Sequence, residues 1–250
     1  MKTVPHQFIR LMIAGSLALC STLLKAETQS EYFPLTKGNY WIYKGETKYL
    51  VPKKQAPPNS GQNEAKSEIL TWKMEVVDTT EGGNYHAALI KGMPMDLAWY
   101  TPGKDRGDYL ILRVGSATYY QYSGDRALKT WAALKENRPN EVPEEDGVVL
   151  IDAPLMIGKV FGGDFSNRLR GTRYCWNVEG ESPFEMKANT NAVPLQNPRE
   201  FSCVYRTSPD HSFMKIVPGL GITSYSYVHH GTLAETDLRL IDFCIKNPSP

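Results

Sequence analysis

The sequence predicts a mainly β protein: a curved antiparallel sheet, half-barrel or sandwich-like, with one short amphipathic helix. Three observations carry that expectation. Apolar and polar side chains alternate with a period of two through most of the chain, the pattern of strands with one buried face. The 14 Tyr and 5 Trp, with the β-branched residues, are concentrated in those alternating runs. Glycine-containing turns separate the runs at short intervals, and only one segment carries helical spacing instead.

Taken in order, residues 39–51 read as a first strand. Trp72, Met74 and Val76 then alternate with Thr71, Lys73 and Glu75. Residues 84–91 follow, and Leu110, Leu112 and Val114 alternate with Ile111 and Arg113. Residues 117–122, 148–151, 174–178, 201–205, 222–228 and 233–243 complete the strand set. Gly82-Gly83, Gly103, Gly107, Gly124 and His230-Gly231 mark turns. Residues 125–137 place Leu128, Trp131, Ala132 and Leu134 at helical spacing, with Asp125 as the expected N-cap. Residues 52–66, 138–147 and 181–200 are rich in Pro, Asn, Gly and Glu and read as loops. Strand patterns resume on both sides of each, so residues 27–250 are expected to form one β-rich domain, open to division into two sub-lobes meeting near 138–153. Pro34-Leu35-Thr36-Lys37-Gly38 is echoed by Pro154-Leu155-Met156-Ile157-Gly158, each ahead of a strand.

The first 26 residues read as an export signal. Lys2 and Arg10 precede the 14-residue apolar run 11–24, and the small Ala26 marks cleavage before Glu27. An alternative is lipidation at Cys20, since Leu17-Ala18-Leu19-Cys20 is similar to a lipobox, although a small residue normally stands where Leu19 does. Without the leader's three basic residues the chain keeps 25 basic and 27 acidic side chains, net −2. That balance excludes a strongly basic nucleic-acid binder. No later run reaches the roughly 18 apolar residues of a membrane-spanning helix, so no transmembrane segment is expected in the mature chain.

Cys175, Cys203 and Cys244 remain after cleavage, and the oxidising destination allows one bridge, Cys175–Cys203. Alternation opposes it. Cys203 shares a face with Phe201 and Tyr205, whereas Cys175 lies opposite Tyr174, Trp176 and Val178. Three buried free thiols are the alternative.

Three pieces carry a family resemblance: Tyr32-Phe33-Pro34-Leu35-Thr36-Lys37-Gly38-Asn39-Tyr40-Trp41-Ile42-Tyr43, then Val193-Pro194 followed by Phe201-Ser202-Cys203-Val204, and finally Pro218-Gly219-Leu220-Gly221. Together the chain resembles uncharacterised bacterial secreted and lipoprotein-type β-proteins with a Y-F-P-L-x-x-G-x-x-W-x-Y start and a P-G-[VL]-G turn. The resemblance implies a curved sheet similar to periplasmic lipoprotein-carrier half-barrels, and it supplies no catalytic residues. The segment 195–200 departs from the family's pattern.

Motifs of catalysis are missing from the sequence: there is no phosphate-cradling loop, nucleophile elbow, zincin helix or Cys-x-x-Cys. The expectation is therefore a non-enzymatic protein with no cofactor and no metal. His229-His230 diverge if they lie on a strand, Asp210-His211 reads as part of a polar loop, and Glu144-Glu145-Asp146 as a solvated turn. The strand aromatics are the distinctive supply. Trp72, Trp99, Tyr120, Tyr225 and Tyr227 are the candidate ligand-binding residues, on the expectation that a concave sheet face holds a lipid or other apolar or amphipathic ligand. The leading functional reading is thus an exported, periplasmic or secreted envelope protein that binds such a ligand. A structural or assembly protein working through an envelope protein partner, with 222–243 as its exposed edge, is the alternative. A hydrolase with a non-sequential site is the second.

Overall fold

The computed structural model describes residues 31–53, 63–142, 147–163, 174–185, 195 and 197–246. The leader, its cleavage point at Ala26, Cys20 and the acidic run 144–146 lie outside the described residues.

Among the described residues the chain forms β1 (Tyr40–Pro52), β2 (Asn63–Gly82), β3 (Tyr85–Lys91), β4 (Asp108–Val114), β5 (Thr118–Ser123), α1 (Gly124–Lys135), β6 (Val148–Asp152), β7 (Val160–Phe161), β8 (Trp176–Pro183), β9 (Arg199–Arg206), β10 (Asp210–Val217), β11 (Gly221–His229) and β12 (Ala234–Cys244). The sheet is antiparallel with the order β6-β5-β4-β3-β2-β1-β12-β11-β10-β9-β8-β7. Each strand therefore pairs with its neighbour in sequence except β6 with β7, and β1 pairs with β12, from Tyr40↔Cys244 to Tyr49↔Ala234. The sheet curls into a nearly closed barrel whose one seam lies between β6 and β7. The walls come close there: a Cβ added to Gly162 would sit 2.7 Å from the Val149 carbonyl oxygen.

This arrangement corrects two expectations. The 222–243 hairpin is not an edge, because β12 is hydrogen-bonded to β11 on one side and β1 on the other. Asp210-His211 opens β10 rather than lying in a loop; its cross-strand partners are His229 and Val228. The polar composition of the strand's first residues hid it, since only Met214, Ile216 and Val217 point to the core.

The pentapeptide echo has a counterpart in the structure. Gly38 and Gly158 both adopt left-handed φ, 84° and 87°, a conformation natural to glycine. Gly38 N–H donates to Val76 O and Val76 N–H to Asn39 O, at 2.9 and 2.8 Å; Gly158 N–H donates to Val178 O and Val178 N–H to Lys159 O, at 2.8 and 2.9 Å. The same turn thus launches β1 against β2 and β7 against β8, and divides the twelve strands into two successive sets of six.

The helix starts one residue earlier than expected, with Ser123 at the N-cap position. Its buried face is Ala127, Thr130, Ala133 and Leu134, while Leu128 is exposed. The face is rotated because the helix lies on the outward side chains Leu110, Leu112 and Tyr122, and small alanines permit the close approach. Asn137, at φ 57°, closes the helix, with Arg138 N–H on Ala133 O at 2.8 Å.

The barrel interior is filled. Phe33, Leu35, Trp41, Tyr43, Met74, Ile90 and Leu238 are fully buried in one continuous core. Side chains with no accessible surface leave no water-sized space beside them. The segment before β1 acts as a plug: Phe33 packs on Trp41 with ring centroids 5.3 Å apart. Tyr32 links the two sides of the barrel: its hydroxyl accepts Leu155 N–H at 3.0 Å, and its own N–H donates to the Tyr119 hydroxyl at 3.1 Å. Trp41 Nε1–H donates to Leu220 O at 2.6 Å and the Tyr43 hydroxyl to Ile222 O at 2.9 Å, so the polar tips of these large rings are satisfied. Outward positions such as Thr71 and Lys73 of β2 are exposed while Trp72, Met74 and Val76 between them are buried. An apolar interior and a charged outside is the reverse of a membrane-spanning barrel. No helix of the described residues is long and apolar enough to cross a membrane.

Candidate functional site

The five candidate aromatics separate into three places. Trp72 is part of the barrel core and its Nε1–H donates to Gly92 O at 2.9 Å. Tyr225 and Tyr227 are buried with Ala234 beneath the β3–β4 connection, against Met95 and Ala98. Burial pushes the Tyr225 hydroxyl up to about 12. Trp99, on that connection, is half exposed and leans on Tyr227 and His229, with centroids 6.1 and 4.7 Å away. Tyr120 stands apart on the outer face. The concave face is therefore occupied by the chain's own β3–β4 connection, and three of the five rings serve packing. Sequence alternation finds which side chains point inward; it carries no information on what fills the space they point into.

Asp96 anchors that connection. Its carboxylate accepts Gly107 N–H at 2.9 Å and the Tyr109 hydroxyl at 2.7 Å. Burial raises its pKa above the ordinary carboxylate value, against the lowering by those two donors. Thr236 adds a hydrogen bond from its hydroxyl to Leu97 O.

Outside the barrel, the β2–β3 turn, the outer face of β4 and β5, the end of α1 at Leu134 and the segment 137–142 enclose a groove of about 420 Å³. Its floor is Leu112, Val114, Tyr120, Tyr122 and Leu134, its wall is Val142, and Asn84, Asn137 and Asn140 stand at the rim. The volume is in the range of small-ligand pockets, and an apolar floor with a few amides at the rim is their usual chemistry. Tyr120 was expected on the concave face with the other four rings and lies instead on the outer one, since alternation sets it opposite Tyr119, which is in the barrel core. The rim amides were not legible in the sequence, since Asn84 lies in one turn and Asn137 and Asn140 beyond the helix. A larger groove of about 730 Å³ crosses the outer face of β9–β12. Glu185, Glu200, Lys215 and Arg239 line it beside Phe184, Leu240 and Ile241, and Glu200 is already engaged by Lys215 at 2.8 Å and the Thr223 hydroxyl at 2.7 Å.

A carboxylate hub stands at the open end of the β10–β11 hairpin. Asp210 Oδ1 accepts from the Tyr227 hydroxyl and pairs with His229 Nδ1 at 2.8 Å. Burial pushes the Asp210 carboxyl up, but Tyr227 and His229 outweigh it and its pKa is lowered overall. The hydroxyl here donates to the carboxylate and not to the imidazole, so the hub orients His229 without arming a nucleophile. His229 and His230 diverge as strand neighbours do: His230 Nε2 lies 3.2 Å from His211 Nδ1 on the other side of the hairpin. No group of three or more His, Cys, Asp or Glu is arranged for a metal among the described residues.

The Cys175–Cys203 bridge is absent, and all three described cysteines are free thiols. Cys203 lies opposite Val178, and Cys175 precedes β8 and receives the Asn177 amide on its sulfur at 3.7 Å. The odd spacing between Cys175 and Val178 puts the two sulfurs on different faces. Burial pushes the Cys203 thiol up to about 12, which makes it inert.

Two solved structures resemble this chain. A protein from Bacteroides fragilis described as exported, with a YmcC-like fold, matches at 11% identity and TM-score 0.42, covering 86% of this chain and 99% of that one. A protein from Parabacteroides distasonis described as a lipoprotein matches at 10% identity and TM-score 0.36, with the same coverage. No protein-family model and no curated protein matches the chain.

Proposed function

We propose that this is an exported, non-enzymatic binding protein that takes an amphipathic small ligand on the outside of its barrel, in the groove beside the C-terminal end of α1. The observation that carries the reading is the groove itself: about 420 Å³, with Tyr120 and Tyr122 in its floor and carboxamides at its rim. No described hydrogen bond engages the side chains of Asn84, Asn137 or Asn140, so their amides are free to meet a neutral polar head while the ligand's apolar part covers the rings. Export is supported by the leader read in the sequence. The test is a fluorescence titration of the chain with lysophosphatidylcholine below its micellar concentration and with decyl maltoside. Val142→Trp, which fills the groove, is expected to weaken binding at least about tenfold, the equivalent of about 1.4 kcal/mol, without lowering the melting temperature. Equal titration by wild type and variant, or no binding of either probe, removes the reading.

A second reading has its own observation. Val148, Met156, Ile157 and Val160 are exposed along the two sides of the β6–β7 seam, at 56%, 56%, 62% and 37%. Apolar surface beside two unpaired edges suits contact with an envelope protein partner. Crosslinking from position 157 in intact cells is expected to trap one reproducible partner; a uniform background removes this alternative.

A further inference from the structure

We propose that His211 and His230 form a two-nitrogen binding site for a borderline divalent first-row metal ion, of the Zn(II), Ni(II) or Cu(II) class. His211 Nδ1 and His230 Nε2 stand 3.2 Å apart. Two imidazole nitrogens bound to one ion at about 2.1 Å, at an angle of about 90–110°, stand roughly 3.0–3.4 Å apart. The ring centroids are only 4.5 Å apart and the planes cross at 79°. The two ring axes are therefore bent away from a head-on hydrogen-bond line, and both lone pairs can turn to one side, where a single ion would meet them.

The scaffold fixes both residues. His211 is the second residue of β10 and pairs with Val228. His230 follows β11, and its backbone N–H donates to Pro209 O at 2.6 Å. Phe213 stands edge-on to His211 with centroids 6.4 Å apart, limiting the ring on that side. The neighbouring His229 is held away by Asp210, so it neither competes nor contributes. With no third protein ligand among the described residues, water completes the coordination sphere. Imidazole selects this class of ion over Mg(II) and Ca(II), which prefer oxygen. The pair also spans the β10–β11 hairpin, so an ion there would tie its two strands together at the open end.

The test uses the whole chain stripped with chelator. Calorimetric titration with Ni(II) or Zn(II) is expected to show a site that weakens at least about tenfold in His211→Gln and in His230→Gln, and is unchanged in His86→Gln on a distant strand. Cu(II) electron paramagnetic resonance should show two coordinating imidazole nitrogens in wild type and fewer in His230→Gln. His230 is exposed, so that variant keeps the fold, checked by an unchanged melting temperature. Equal titration by all variants, no heat with wild type, or a Cu(II) spectrum unaffected by His230→Gln overturns the proposal.

Discussion

Replacing Phe33 by Ala tests the claim that the barrel is filled. The ring has no accessible surface, stacks against Trp41 at 5.3 Å between centroids, and would lie 3.2 Å from a Cβ placed on Gly221. Phe→Ala in a core costs about 3–5 kcal/mol, more where the surroundings cannot collapse. Here one neighbour is a large indole pinned by its hydrogen bond to Leu220 O and another is backbone, so a cost near 4 kcal/mol is expected. For a domain of this size that lowers the melting temperature by about 8–16 °C. Urea unfolding followed by tryptophan fluorescence, with calorimetry alongside, measures both. The companion variant Phe33→Trp should also destabilise, by about 1–3 kcal/mol, because a packed interior resists added volume. A loss under about 1 kcal/mol for Phe33→Ala together with a neutral Phe33→Trp would mean that the barrel keeps a usable hollow, and the argument for an outer site would fall.

Other outcomes follow from the same geometry. Asp96→Ala leaves the Gly107 N–H and Tyr109 hydroxyl without their acceptor and is expected to cost about 2–4 kcal/mol; a double-mutant cycle with Tyr109→Phe should show non-additive losses, and strict additivity would contradict the shared hydrogen bond. Gly45→Ala brings a Cβ to 1.8 Å from the Asp237 carbonyl oxygen, which must part β1 from β12, so urea titration should show a loss above about 2 kcal/mol. Glu75 has its pKa lowered by hydrogen bonds from Lys73 and then Arg106. A depressed carboxylate contributes stability above its unfolded pKa of about 4.3 and loses it as pH falls through the lower folded value; Glu75→Gln should flatten that acid limb by under about 1 kcal/mol, since the pair is partly solvated. Tyr43→Phe removes the hydroxyl donor to Ile222 O and should cost about 1–2 kcal/mol, read from the urea midpoint.

Much of the fold was legible in the sequence because a strand's period is a local property. The runs at 39–51, 72–76, 110–114 and 233–243 each contain enough alternation to declare themselves. The beginning of β10 did not, since Asp210, His211 and Ser212 carry polar groups on both faces to build the hairpin hub. The 3.6-residue period located α1 but misjudged its face: Leu128 is apolar yet exposed, and Ala127 and Ala133 are small enough to approach the sheet. Parity set Tyr120 opposite Tyr119 but did not say which of the two faces outward, so Tyr120 was assigned to the wrong side of the sheet. The rest of the groove was not legible, because Asn84, Leu134 and Val142 meet only through tertiary packing. The His211–His230 pair was hidden for the same reason: nineteen positions separate the two residues, and only the register of the hairpin brings them together.

The pairing of β1 with β12 has a consequence for biogenesis. The strand made first finds its second neighbour only when the strand made last is present, because Tyr40 lies against Cys244 and Tyr49 against Ala234. The sheet therefore cannot complete its register until nearly every residue has been made. A product that stops short of Ala234 keeps β1 paired with β2 but leaves its other edge bare from Tyr40 to Tyr49, a flag that quality-control proteases can read.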